Sequence, residues 1–208
     1  MKRFVVLVFA LLTAAIAVAQ SEVPKYEAYL GYSFTRMNSA INVPAVSANG
    51  GTGEFVYNIN DVLGAVASFN GVHNGNISDV HIDTTLVGYN FGPRVTWRNG
   101  SRWMPFGEIL FGATTAHRSF KVPGLEVNPV SGNTFDLETR FANTARAFSM
   151  LVGGGLDVKV NKNVSFRPIK LDYYMTRFQP IFIEGLGDPN RNRNQNNLIY
   201  GTGFNFRF

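Results

Sequence analysis

The sequence contains no cysteine. That excludes disulfides, Cys-ligated zinc, iron–sulfur clusters and thiol catalysis together. Charge is scarce too, at 16% of 208 residues, against about a quarter in an average soluble domain. The three histidines, His73, His81 and His117, form no His-Glu-x-x-His pattern, and no carboxylate spacing completes a ligand set. No metal and no cofactor are therefore expected. The net charge of +5 is dispersed rather than gathered in a basic stripe with interleaved aromatics, so nucleic acid is not an expected partner. No Pro-rich or Ser-rich linker interrupts the chain, which reads as one domain. Beyond the first 19 residues no apolar run approaches the roughly 20 residues of a membrane-spanning helix.

What is abundant is Phe (18), Tyr (8) and Gly (21), a mixture that suits strands better than helices. The start is a separate signal. Lys2-Arg3 precedes an apolar run from Phe4 to Val18, and Ala17-Val18-Ala19 fits a small-x-small cleavage site. Residues 1–19 read as a cleaved signal peptide and 20–208 as the exported domain. The run is short for an anchor, and no cysteine follows it to carry a lipid.

Eight strands are expected, at 26–36, 52–60, 63–72, 84–97, 103–116, 145–160, 163–176 and 197–208. Several alternate at period two. In the last, Leu198, Tyr200, Thr202, Phe204, Phe206 and Phe208 oppose Ile199, Gly201, Gly203, Asn205 and Arg207. In the fourth, Val87, Tyr89, Phe91, Val95 and Trp97 oppose Gly88, Asn90, Gly92, Arg94 and Thr96. One face is apolar and aromatic; the other is glycine-rich and carries charge. Period alone does not say which face is outside. Connection lengths do. Asn60-Asp61, Arg98 to Ser101 and Asn161 to Asn163 are tight turns, and they alternate with long polar connections at 37–51, 73–83, 117–144 and 177–196. An even strand number then puts all short turns at one end. That asymmetry belongs to outer-membrane barrels, with short periplasmic turns and long external loops. The expected fold is all-β: an eight-stranded antiparallel up-and-down transmembrane β-barrel.

In that arrangement Glu27, Arg94, Glu108, Asp157, Lys159, Lys170, Asp172 and Arg207 project into the lumen. Eight strands leave an interior that side chains just fill, so these charges are expected to pair as a rigid plug, with a narrow ion or solute path as the alternative. Arg94 and Glu108 fall near one another across the turn at 98–101. Arg167 falls on the lipid-facing parity of its strand, which points to a bulge near Pro168 or a headgroup contact. Trp97 and Trp103 flank a short turn and read as interfacial anchors. Gly153-Gly154-Gly155 precedes no helix and no Gly-Lys-Ser/Thr, so it reads as lumen-facing glycine rather than a phosphate loop.

The C-terminal third resembles the small outer-membrane β-barrel family of the OmpA/OmpX-like porin superfamily. The residues that carry the likeness are Gly153 to Val158, Asp172 to Phe178, Asn196-Asn197 and the closing Gly203-Phe204-Asn205-Phe206-Arg207-Phe208, with Phe91 to Arg94 and Pro105-Phe106 upstream. The resemblance implies a location in the outer membrane, among lipids and lipopolysaccharide. It also implies that Phe204, Phe206 and Phe208 form the signal read by the barrel-assembly machinery. The sequence ends with the barrel, so no cell-wall-binding domain carries over. A monomer is expected, with a structural and surface-interaction role. The external loops are its working surface, through Arg118, Lys121, Arg140, Arg191 and Arg193. A lipid-modifying enzyme is the weakest of the three readings: Ser78, Ser119 and Ser149 are available, but nothing links one to a histidine.

Overall fold

The computed structural model describes residues 23–37, 46–74, 82–98, 100–122, 139–178 and 194–208. The signal segment, His81, Arg191 and Arg193 lie outside the described residues. Eight strands follow in order: β1 (Tyr26–Met37), β2 (Val46–Asn58), β3 (Leu63–Asn74), β4 (Ile82–Thr96), β5 (Trp103–Val122), β6 (Thr139–Lys159), β7 (Val164–Phe178) and β8 (Asn194–Arg207). They close into a barrel in sequence order, every neighbouring pair antiparallel, with β8 returning to β1. The backbone of Phe208 completes the seam: its N–H donates to Tyr26 O at 2.8 Å and its carbonyl accepts from Tyr26 N at 3.2 Å.

Three strands run well beyond what their side-chain pattern suggests. β2 begins at Val46 rather than 52, β5 reaches Val122 rather than 116, and β6 begins at Thr139 rather than 145. Val46, Phe120, Val122 and Phe141 are the only large apolar side chains among the extra residues, too few in any one strand to show an alternation. Backbone pairing needs none, and the ladder continues from Trp103↔Val158 to Val122↔Thr139. Parts of the expected long connections at 37–51 and 117–144 are therefore paired strand.

The short turns are built locally. Asn60 Oδ1 accepts from the backbone N–H groups of Val62 (2.9 Å) and Leu63 (2.7 Å) between β2 and β3. Asn161 Oδ1 repeats the device with Asn163 (2.9 Å) and Val164 (2.7 Å) between β6 and β7. Gly100, at φ 75°, takes the left-handed position between β4 and β5.

The polarity of the wall is inverted relative to a soluble barrel. Leu30, Phe55, Phe69, Phe91, Phe111, Phe148, Leu198 and Phe204 are exposed on the outer face. Glu54, Arg94, Glu108, Arg167, Lys170 and Asp172 are buried inside. An apolar exterior of this extent is stable only against lipid.

A bulge in β7 resolves the parity of Arg167. The register runs Val158↔Phe166 then Leu156↔Ile169 on one side, and Arg167↔Gly203 then Lys170↔Gly201 on the other. β7 therefore holds one extra residue against both neighbours, at Pro168, which has no N–H to donate. Inward parity is odd below the bulge (Ser165, Arg167) and even above it (Lys170, Asp172, Tyr174, Thr176). Arg167 accordingly points into the lumen, not at headgroups.

Candidate functional site

The lumen is the most heavily built part of the molecule. Glu54 is its hub. Its Oε2 accepts from Arg94 Nη2 at 2.5 Å and from Arg167 Nη1 at 2.8 Å, and its Oε1 accepts from Lys170 Nζ. Glu108 Oε2 accepts from Arg94 Nε at 2.7 Å and also from Nη2, while Lys170 Nζ lies 2.8 Å from Glu108 Oε1. Asp172 Oδ2 stands 3.2 Å from the same ammonium. Asp157 grips Arg167 with both oxygens, at 2.6 Å from Nε and 3.0 Å from Nη2. This forked geometry suits guanidinium. The two guanidinium groups also lie over one ring. Arg94 lies 4.3 Å and Arg167 4.2 Å from the Phe106 centroid, and Arg167 also lies 4.1 Å from the Tyr29 centroid.

A second layer closes the end that carries the short turns. Glu27 accepts from Arg98 Nη2 at 2.6 Å, Asn58 Nδ2 at 2.7 Å and Asn205 Nδ2 at 2.6 Å. Asn205 Nδ2 also reaches Asp157 Oδ2 at 3.1 Å, which joins the two layers. Beside the ion pairs lies an apolar cluster of Val56, Val66, Leu110, Leu151, Tyr174 and Ile199. Among the described residues the lumen holds five carboxylates (Glu27, Glu54, Glu108, Asp157, Asp172) and five cations (Arg94, Arg98, Arg167, Lys170, Arg207). The charges balance, as a narrow low-dielectric interior requires. Space is tight enough to demand glycine: a Cβ on Gly153 would stand 2.1 Å from Asp172 Oδ1.

Of the residues named from sequence, Glu27, Arg94, Glu108, Asp157, Lys170 and Asp172 meet in these two layers. Arg94 and Glu108 sit directly opposite in the β4–β5 register. Arg207 is buried at the mouth, and its Nε and Nη1 have no partner among the described residues. Lys159 departs from the expectation: it keeps the inward parity opposite Ser165 but ends β6 at the rim, exposed. Glu54, Arg98 and Arg167 were missed. Glu54 was legible, because Phe55 and Tyr57 on one parity put it on the other. Arg98 was read as turn, and Arg167 was hidden by the bulge.

On the outer face, Trp97 and Trp103 are 65% and 56% exposed and flank the turn between β4 and β5. Phe204 is exposed beside Phe166, ring centroids 5.3 Å apart, with Phe206 and Phe208 half-buried on the same parity. His73 and His117 each place Nδ1 3.0 Å from a threonine hydroxyl, of Thr85 and Thr144. Among the described residues no group of three His, Asp or Glu side chains is placed to hold a metal.

The sequence model of the outer membrane protein beta-barrel domain family matches residues 4–208. The chain belongs to that family. It is an outer-membrane protein, and its short turns therefore face the periplasm. No curated protein matches its sequence significantly. Among solved structures it is similar to the attachment invasion locus protein Ail of Yersinia pestis (TM-score 0.55, 15% identity, 89% of this chain and 99% of that one). It is also similar to Neisserial surface protein A (TM-score 0.56, 14% identity, 88% and 97%) and to OprG of Pseudomonas aeruginosa (TM-score 0.50, 12% identity, 91% and 99%). At these identities the likeness is one of fold.

Proposed function

We propose that this family member is a surface-interaction barrel, with a sealed lumen as its strut and the outer end of the β5–β6 hairpin as its working part. The lumen carries this reading: charge-balanced ion pairs and an apolar cluster fill the cross-section that a pore would need open. The hairpin supports it. β5 and β6 have 20 and 21 residues, against 12 in β1, so their paired ends stand well clear of the wall. A spanning strand needs only about 9–11 residues. The outer part of the hairpin carries Arg118, Lys121 and Arg140. Guanidinium and ammonium groups suit phosphate or sulfate on a glycan, lipopolysaccharide included. Ail has been solved with the heparin analogue sucrose octasulfate, and that structure superposes on this chain at TM-score 0.53 with 16% identity.

Binding to immobilised lipopolysaccharide and to sulfated glycan tests the proposal. Changing Arg118, Lys121 and Arg140 together to Ser is expected to weaken binding by at least about tenfold, and salt should weaken the wild type. Equal binding by both proteins counts against the hairpin. Steady single-channel conductance in planar bilayers counts against the sealed lumen and favours the pore.

The closing strand gives a separate expectation. Deleting Phe208 should lower the level of protein in the outer membrane severalfold, if the machinery reads this terminus. It should cost the refolded barrel only about 1–3 kcal/mol, because it removes two backbone hydrogen bonds at one seam. Quantitative blots of the outer-membrane fraction, beside urea unfolding of refolded protein, separate the two effects. Unchanged membrane levels would refute the assignment.

A further inference from the structure

The outer wall over β2, β3 and β4 is not smooth. Along β3, Ala65 and Ala67 face outward where neighbouring strands carry large side chains. Ala67 lies between Phe55 and Phe91 in the register, and Ala65 lies between Tyr57 and Pro93. The alanines form the floor of a groove of about 340 Å³, with Phe55 and Tyr57 on one side and Phe91 on the other. Both sides are braced. Tyr26 packs on Phe55 and Tyr57 with centroids 5.8 and 5.5 Å apart, and Phe69 meets Phe91 edge-on at 6.1 Å. Such contacts hold rings in place and keep the groove from collapsing.

Tyr57 also lines a second, larger hollow of about 550 Å³ at the periplasmic rim. Its lining is mixed, with Val23, Pro24 and Ile59 beside Lys25, Asn60 and Asp61. The strand end fixes Lys25 beside β2, through Asn58 N donating to Lys25 O at 2.9 Å. Asp61 is held in its turn by Arg98 Nη1, which donates to Asp61 O at 2.7 Å. Tyr57 thus borders both an apolar slot on the membrane-facing wall and a rim hollow of mixed lining that carries one cationic and one anionic side chain. Trp97, at the same end of the barrel, marks the level of the interface.

We propose that this two-part surface holds one phospholipid of the periplasmic leaflet, with an acyl chain in the groove and a zwitterionic headgroup at the rim. Lys25 takes the phosphate and Asp61 the primary amine. The occupant follows from the chemistry. A second copy of the chain would bury the alanine floor but would leave the rim charges without a role. Lipopolysaccharide occupies the opposite leaflet, away from the short turns. A headgroup with a phosphate and no amine would satisfy Lys25 alone.

Native mass spectrometry of the full mature barrel, exchanged from vesicles of phosphatidylethanolamine or of phosphatidylglycerol, tests this. The wild type should retain one phosphatidylethanolamine through detergent exchange and retain phosphatidylglycerol less. Filling the groove with Ala65→Phe and Ala67→Phe together should lower retention by at least about tenfold. Lys25→Glu, which leaves the wall untouched, should lower it about fivefold, the contribution of one cation near a lipid phosphate. Asp61→Asn should erase the preference between the two headgroups. Heat-modifiable migration on a gel checks that each variant is folded. Equal retention by wild type and the filled variant overturns the proposal, as does indifference of the wild type to headgroup. A dimer of the wild type that the filled variant abolishes assigns the groove to a second copy and overturns it as well.

Discussion

Replacing Arg167 with alanine is expected to destabilise the refolded barrel by about 3–5 kcal/mol, among the largest losses from any single side chain. Arg167 is fully buried, at 0% exposure. Its guanidinium satisfies both oxygens of Asp157, donates to Glu54 at 2.8 Å and lies over the rings of Tyr29 and Phe106. Truncation leaves Asp157 buried with Asn205 as its remaining side-chain donor among the described residues, opens a void beside two rings and upsets the charge balance of the lumen. Arg167→Lys should recover only part of the loss, because one ammonium cannot reproduce the fork on Asp157 or stack flat on two rings. Arg102→Ala, in an exposed turn, should change stability by less than about 0.5 kcal/mol. Urea unfolding with coincident fluorescence and gel-shift transitions gives the values. A loss below about 1 kcal/mol for Arg167→Ala would mean that the plug contributes little, and would remove the main support for a sealed strut.

The same residue shows where the sequence stops being legible. Period-two alternation identifies a strand and its faces as long as every residue pairs. A single extra residue at Pro168 swaps the faces, and everything below it is then assigned backwards. The swap leaves a trace, a charged residue on an otherwise lipid-facing parity. Alternation also fails where large apolar side chains are sparse, which is why the outer ends of β2, β5 and β6 read as loop. The closed barrel, the strand number and the direction of the short turns were legible, because they depend on many residues at once. The partners inside the lumen were not. Parity says that a charge points inward but not how far a long side chain reaches across the barrel, and Glu54 meets Arg94, Arg167 and Lys170 from strands that are not its neighbours.

That reach changes what the Arg94 and Glu108 pair is expected to do. As an isolated pair, loss of Glu108 would strand Arg94 in a narrow interior and would exceed the cost of removing both. The structure gives Arg94 a second carboxylate in Glu54, and leaves Lys170 with Glu54 and Asp172 when Glu108 is gone. Loss of Arg94 has no such relief. Glu54 and Glu108 then share Lys170, with Arg167 as the one further cation on Glu54. Arg94→Met is therefore expected to cost about 3–5 kcal/mol and Glu108→Gln about 1–3 kcal/mol. The double variant should cost less than the sum by a coupling energy of about 1–3 kcal/mol, since the two groups share a direct hydrogen bond at 2.7 Å. Repeating the cycle in a Glu54→Gln background separates the hub from the pair. There Glu108 becomes the last carboxylate bonded to Arg94, and its loss should rise to the cost of Arg94→Met. Urea unfolding of the set in one detergent supplies the energies. A coupling indistinguishable from zero, or a Glu108→Gln cost that the Glu54→Gln background leaves unchanged, would show that the lumen charges act independently rather than as one network.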